Sequence, residues 1–296
     1  MLKLHQDGKV AEWFKAHAWK ACNGATRSQV QILSFPPGNT FMNEEIIKLT
    51  NLTKRYGYGD TESFALKDFN LTIKRGEFIM IMGPSGCGKT TLLNIIGLLD
   101  RATSGEYLLN NENVASISSS RQARIRAKKI GFIFQNFNLI EDLPLIENVS
   151  LPLVYVGRPR LVRLRDASAA LKRFHLGEKE YYYPYQLSGG QQQRAAIARA
   201  VVSNPEIILA DEPTGNLDSR ASYMVMDELK RIHEEGNTIV MVTHNPALTV
   251  YATRVINMLD GQIATDIKTV SDSKLPQPIY IKTKKKKHSK SKRRRH

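Results

Sequence analysis

The chain has 296 residues, 42% of them hydrophobic, with two cysteines and a formal net charge of +15. That length and hydrophobic content suit one large α/β domain or two small ones with a packed core. No apolar run approaches the ~20 residues that a membrane helix needs, and no continuous apolar h-region marks a secretory signal. Cys22 and Cys87 make no disulfide framework, which fits a reducing cytosol. The charge is not a global property. Residues 282–296 hold ten Lys/Arg and no acid, and residues 1–41 hold five Lys/Arg against two acids. Residues 42–281 are left at about +2, so the basicity marks a tail and makes a nucleic-acid-binding face unlikely.

In chain order, residues 1–41 come first and carry both tryptophans, Trp13 and Trp19. Val10, Trp13, Phe14, His17, Ala18 and Ala21 suit a short amphipathic helix. An interfacial membrane helix, an organelle presequence and no functional element at all are the three readings. The last is preferred, because the stretch resembles the translation of a transfer-RNA gene region. Residues 46–49 and 69–73 are expected as strands of an antiparallel subdomain. Residues 78–82, Phe-Ile-Met-Ile-Met, form an apolar run of strand length, and residues 90–96 read as a helix. A further strand over 130–134 ends at Gln135. Residues 144–185 are expected to be mostly helical and to form a separate lobe. A helix over 190–202 starts just after Ser188, and residues 207–210 and 238–242 read as core strands. Strands alternating with helices predict an α/β fold with a largely parallel sheet. The tail, 282–296, cannot fold alone because like charges repel and nothing apolar is available to bury. A solvated disordered end is the plain reading. Anionic lipid is the better functional one, at about 1 kcal/mol per basic residue near such a surface, ahead of RNA or a nuclear-import signal.

Three segments carry chemistry. Gly83-Pro84-Ser85-Gly86-Cys87-Gly88-Lys89-Thr90 is a complete G-x-x-x-x-G-K-[ST] phosphate loop between a strand and a helix. Its glycines let backbone wrap an anion, and the helix that follows, including Thr91, turns an amide-rich N-terminus to the phosphates. Lys89 is placed to reach the β- and γ-phosphates of ATP, and the Thr90 hydroxyl to ligate Mg²⁺. Cys87 reads as a small loop residue, and its thiol is expected to be shielded from alkylation by bound nucleotide. Asp211 and Glu212 end the run Ile207-Ile208-Leu209-Ala210, which puts two carboxylates at the carboxyl edge of a sheet, where open α/β sheets bind ligands. Asp211 is expected to hold Mg²⁺ and Glu212 to polarise the attacking water, as phosphoryl transfer requires. Leu187-Ser188-Gly189-Gly190-Gln191 forms a second anion site, since Ser188 can cap a helix and the two glycines expose amides. One chain cannot bring both anion sites to one phosphate, because the helical lobe projects away. Two chains placed head to tail solve this under the C₂ symmetry common to dimers.

In this order the segments resemble the ATPase subunit of an ABC transporter, over residues 45–265. The resemblance implies a phosphate-loop nucleotide-binding core with an antiparallel β subdomain and a helical signature lobe, spanning residues 42–281. It implies that Tyr56 stacks on adenine, with Tyr58 as a substitute, and that Gln135 senses Mg²⁺ and the attacking water. Ser188, Gly189, Gly190 and Gln191 would form the signature loop. Asp218, in Asn216-Leu217-Asp218, would contact the partner protomer, and His244 the γ-phosphate. It also begins at Met42, which suggests that an upstream start codon precedes the true one. The run Asp211-Glu212-Pro213-Thr214-Gly215-Asn216-Leu217-Asp218-Ser219 is similar to that of lipoprotein-releasing and macrolide- or peptide-exporting ATPases. Gly97-Leu98-Leu99-Asp100 and Leu145-Ile146-Glu147-Asn148-Val149 point the same way, while Ala102 departs from the Pro common in that group.

Such a subunit would act at the cytoplasmic face of the inner membrane as a peripheral protein, with a separate permease and a second ATPase protomer as partners. Two other readings stand beside it. A soluble ABC-type ATPase acting on nucleic acid or iron–sulfur assembly has only the basic tail in its favour. A regulatory binder that holds ATP without hydrolysis is disfavoured by Glu212 and His244.

Overall fold

The computed structural model describes residues 44–57 and 62–269. The N-terminal stretch, Met42, Tyr58 and the tail 282–296 lie outside the described residues. Two long strands open the described chain, β1 (Glu45–Tyr56) and β2 (Ser63–Lys74), then β3 (Phe78–Met82) and helix α1 (Lys89–Ile96). Strands β4 (Ser104–Leu109) and β5 (Glu112–Asn113), helix α2 (Ser119–Lys129) and β6 (Ile130–Ile133) follow. Helices α3 (Leu145–Tyr155), α4 (Arg160–Arg173) and α5 (Gly189–Val201) lead to β7 (Ile207–Asp211). Helix α6 (Ser219–Glu234), then β8 (Thr238–Val242), β9 (Arg254–Leu259) and β10 (Gln262–Lys268) complete it.

The strands form two sheets. An antiparallel sheet has the order β2-β1-β4-β5, and a six-stranded sheet the order β10-β9-β3-β8-β7-β6. In the second, β9, β3, β8, β7 and β6 run parallel, and only β10 is antiparallel to its neighbour. Parallel strands covered on both faces read as continuous apolar runs. β3 and β8 show this: Phe78, Ile79, Met80 and Ile81 are fully buried, as are all five residues of β8. Successive side chains point to opposite faces. Ile79, Ile81, Leu209 and Val240 therefore join the core against α1 and the antiparallel sheet. Phe78, Met80, Ile208 and Met241 join the core against α3, α5 and α6.

The expected strands are present, with β1 and β2 longer than the apolar runs alone suggest. Helices α2 and α6 and strands β4, β5, β9 and β10 were not anticipated. Residues 144–185 hold α3, α4 and two short 3₁₀ turns, Gly177–Lys179 and Pro184–Gln186. Because β3, β7, β8 and β6 are parallel, their carboxyl ends share one edge. The phosphate loop, Asp211-Glu212, Thr243-His244 and the Gln135 loop all leave the sheet there.

Candidate nucleotide site

The loop after β3 is shaped by its glycines. Gly83, Gly86 and Gly88 have φ of 150°, 81° and 100°. A Cβ on Gly83 would lie 2.3 Å from the Met258 carbonyl oxygen, and one on Gly88 would lie 2.2 Å from that of Ala65. Only glycine fits this loop against β2 and β9 without displacing backbone. Gly88 is the N-cap of α1 and offers no side-chain acceptor, which leaves the first-turn amides to a ligand. The Lys89 ammonium is nearly buried and donates to the carbonyls of Gly83 at 2.9 Å and Pro84 at 2.7 Å.

The acidic pair faces this loop. Asp211 lies beside the Thr90 hydroxyl. Its pKa is raised above the ordinary aspartate value, first by burial and then by the neighbouring Glu212 charge, against the lowering effects of Thr90 and Lys89. Glu212 takes a left-handed backbone, φ 44°. Its N–H donates to the Val242 carbonyl at 3.0 Å, and its own carbonyl accepts from Gly215 N at 3.0 Å. Its Oε2 lies 3.0 Å from His244 Nδ1. A carboxylate only accepts, so Nδ1 carries the shared proton. Glu212 is partly sheltered, whereas His244 is mostly exposed.

A cavity of about 410 Å³ gathers these groups. Gly83, Ser85, Gly86, Gly88, Lys89, Thr90, Thr91, Glu212 and His244 line it together with Ala65. Size and chemistry fit a polyphosphate: amides and an ammonium on one side, a hydroxyl and carboxylates on the other. Thr90 and Asp211 also fit Mg²⁺, a hard cation that takes oxygen ligands and uses few protein groups plus substrate phosphates. Consistent with that division, no cluster of three or more His, Cys, Asp or Glu is found among the described residues.

Other expected site residues lie around this cavity without lining it. Cys87 is 4% exposed and packs in the core, with Lys89 Nζ 3.8 Å from its sulfur. The expectation of a nucleotide-shielded thiol is therefore corrected. The loop turns the Cys87 side chain inward, into the core. Pro84 contributes its carbonyl to Lys89. Tyr56 ends β1 with its ring half exposed, its hydroxyl donating to Asp100 at 3.0 Å and the Lys54 ammonium 4.8 Å from the ring centre. Gln135 does not hydrogen-bond to Thr90 or Asp211; its Nε2 donates to Asn216 Oδ1 at 3.4 Å, and its carbonyl accepts from Asn216 Nδ2 at 3.2 Å. Asp218 caps α6, accepting from Ala221 N at 2.7 Å. Ser188 is the N-cap of α5, and the Gln191 side chain reaches back to accept from Ser188 N at 3.1 Å. Gly189 and Gly190 form the first turn of that helix.

Three supporting residues escaped sequence reasoning. Arg199 on α5 donates to the carbonyls of Phe137 at 2.8 Å and of Asn138, clamping the loop beyond Gln135. Burial pulls its pKa down to about 10. Asn148, fully buried, pins the loop before α3 through Ile140 and Leu143. Gln193 reaches the turn after Glu212. No motif marks Arg199 or Gln193, and Asn148 stands out only as part of the Leu145-Ile146-Glu147-Asn148-Val149 run. The only signal is a long polar side chain inside an otherwise apolar helical face.

Comparison with known proteins agrees with this geometry. A model described as ABC transporter matches residues 66–215. An uncharacterized ABC transporter ATP-binding protein of Methanocaldococcus jannaschii is 51% identical over 218 residues, which is 74% of this chain and 97% of that protein. The macrolide export ATP-binding/permease protein MacB of Aggregatibacter actinomycetemcomitans is 47% identical over 221 residues, and the chain spans 34% of its length. The dimeric, post-hydrolysis structure of the ATP-binding cassette MJ0796 bound to ADP and Pi matches with a TM-score of 0.70 at 45% identity. That match covers 75% of this chain and 98% of the cassette. The chain belongs to the ABC transporter family and has the fold of its ATP-binding cassettes.

Proposed function

We propose that this chain binds Mg-ATP and hydrolyses it at a site completed by a second copy, and so drives a membrane permease. The observation that carries the reading is the cavity in which Lys89, Thr90, Glu212 and His244 meet, with Asp211 beside Thr90. Lys89 and the loop amides hold the β- and γ-phosphates. Thr90 and Asp211 would hold Mg²⁺, with Gln135 completing the shell, and the ion would neutralise charge on the phosphates. Glu212 accepts the proton of the attacking water, and His244 keeps the carboxylate aimed while its exposed Nε2 faces the γ-phosphate region. Tyr56 stacks on adenine. Ser188, Gly189, Gly190 and Gln191 of one copy cover the ATP held by the other, with Asp218 near the contact. The dimeric structure of a relative bound to ADP and Pi supports the pairing of two copies.

No helix among the described residues is long and apolar enough to cross a membrane. In the macrolide exporters the ATP-binding part shares a polypeptide with a permease, and this chain spans a third of such a protein. A membrane permease as partner, with the cassette on the cytoplasmic face of the inner membrane, is the arrangement that likeness to these exporters supports. Release of lipoprotein or efflux of peptide or macrolide-like compounds is the transport class that the similarity supports. Residues 42–281 would form the cassette. The basic tail would hold anionic lipid, so its removal should abolish salt-sensitive co-sedimentation with anionic vesicles. Unchanged sedimentation would make it a bland end.

Glu212→Gln tests the central reading. It keeps shape but cannot act as base, so ATP binding should persist while turnover falls by about 10²–10⁴-fold. Phosphate release near the wild-type rate would overturn the assignment.

A further inference from the structure

The turn carrying Glu212 is held from outside. A glutamate at φ 44° is uncommon backbone that persists only where surrounding contacts over-determine it. Val242 and Gly215 fix the Glu212 peptide groups, and His244 fixes its carboxylate. One residue further, the Pro213 carbonyl accepts a 2.7 Å bond from Gln193 Nε2. Gln193 is fully buried on α5, the helix that begins at Ser188. Its Oε1 is buried with no hydrogen-bond partner among the described residues. An unpaired buried acceptor is costly, so filling the core does not by itself account for an amide here. Neighbouring Ala195, Ala196, Ile197 and Ala198 show how apolar this stretch of helix is. What the amide supplies is the single bond from the signature helix to the Glu212 turn. The same helix grips the loop beyond Gln135 through Arg199.

We propose that Gln193 is a positioning residue for the reaction, coupling the place of the signature loop to the aim of the Glu212 carboxylate. When the facing copy's nucleotide engages Ser188, α5 is drawn to a defined position, and the Gln193–Pro213 bond carries that position to the turn. Hydrolysis is thereby favoured in the closed pair of chains. The inference rests on the reading of Glu212 as the group that activates water.

The test compares Gln193→Leu, Gln193→Met and Glu212→Gln in the full chain. Both Gln193 variants should lose kcat by about 10²-fold, the usual penalty for misplacing a reacting group by ~1 Å. KM for ATP should hold, and the melting temperature should change little, because removing the unpaired Oε1 offsets the Pro213 carbonyl left without its donor. Under excess ATP they should accumulate the ATP-bound dimer by light scattering, as Glu212→Gln does. A kcat within twofold of wild type in Gln193→Leu, with Glu212→Gln inactive, removes this inference and leaves the function standing. A Glu212→Gln protein at wild-type turnover removes the function reading itself. A fall in kcat matched by an equal loss of ATP affinity or by a lowered melting temperature assigns Gln193 to core integrity and overturns the proposal. Failure of both apolar variants to fold does the same.

Discussion

Replacing Gly88 by alanine should unfold the cassette at a much lower temperature than replacing Gly86, although both are glycines of one loop with positive φ. At Gly86 the backbone has φ 81° and a Cβ would meet nothing within 4 Å. Alanine there incurs only the left-handed conformational cost, about 1–2 kcal/mol. At Gly88, φ is 100° and the Cβ would stand 2.2 Å from the Ala65 carbonyl oxygen and 3.2 Å from Leu66 Cδ2. The carbonyl belongs to β2 and cannot rotate away, so either the strand or the start of α1 must move by most of an ångström. Overpacking of that kind adds about 1–3 kcal/mol, for a total of about 2–5 kcal/mol. At about 2–4 °C per kcal/mol for a domain of this size, the melting temperature should fall by roughly 4–20 °C for Gly88→Ala and about 2–8 °C for Gly86→Ala. Thermal denaturation without nucleotide measures this directly. Gly88→Ala should also lose ATP binding, because the displaced helix start carries the first-turn amides, Lys89 and Thr90. Equal shifts for the two variants, or a larger one for Gly86→Ala, would refute the close packing of the loop on β2.

Three further outcomes are expected. In a Glu212→Gln background the chain should dimerise on ATP by light scattering, and adding Ser188→Arg should leave it monomeric with ATP affinity retained; a double variant that still dimerises refutes the shared site. Asp211→Asn should melt higher than wild type near neutral pH while losing Mg²⁺-dependent turnover. The native pKa of Asp211 is raised above its unfolded value, so the stability tied to its protonated form is lost as pH rises through the native pKa. The advantage of asparagine should therefore shrink in acid, and an advantage that grows in acid contradicts the burial argument. The Cys87 thiol should react slowly with alkylating reagents whether or not Mg-ATP is present and quickly after denaturation, as mass spectrometry can follow; rapid labelling of the native chain places the thiol outside the core.

The legible parts of the site were those set by neighbours in sequence. The phosphate loop, the strand before it and the helix after it follow from local rules about glycine, apolar runs and caps. So does the placing of Asp211 and Glu212 at a strand end. The core strands were legible because a parallel strand covered on both faces has no polar position. What stayed hidden depends on pairs distant along the chain. Nothing near Cys87 says that its side chain turns inward, because Met258 and Ala65 shape that loop. Gln135 meets Asn216, 81 positions away, and Arg199 reaches Phe137, 62 positions away. The helical register that points Gln193 at Pro213 is likewise set by packing and not by propensity. Strand β10 escaped because it is largely exposed and shows no apolar run, and β9 because Arg254 and Asn257 interrupt its apolar residues.

The order of the large sheet bears on how the chain is made. Strand β3, which ends in the phosphate loop, pairs with β8 on one side and β9 on the other. Both arrive late: the Phe78 amide donates to Thr253, 175 positions downstream. Contacts so remote in sequence form slowly, since a long loop must close before they give any return. During synthesis at about 5–20 residues per second, β3 would wait roughly 10–30 s with both backbone edges unpaired and five apolar side chains uncovered. A ribosome that stalls before β8 would release a fragment that has the whole nucleotide-binding loop yet no means of shielding the strand beneath it. Such fragments should associate with holdase chaperones or aggregate, while chains completed through β9 should not.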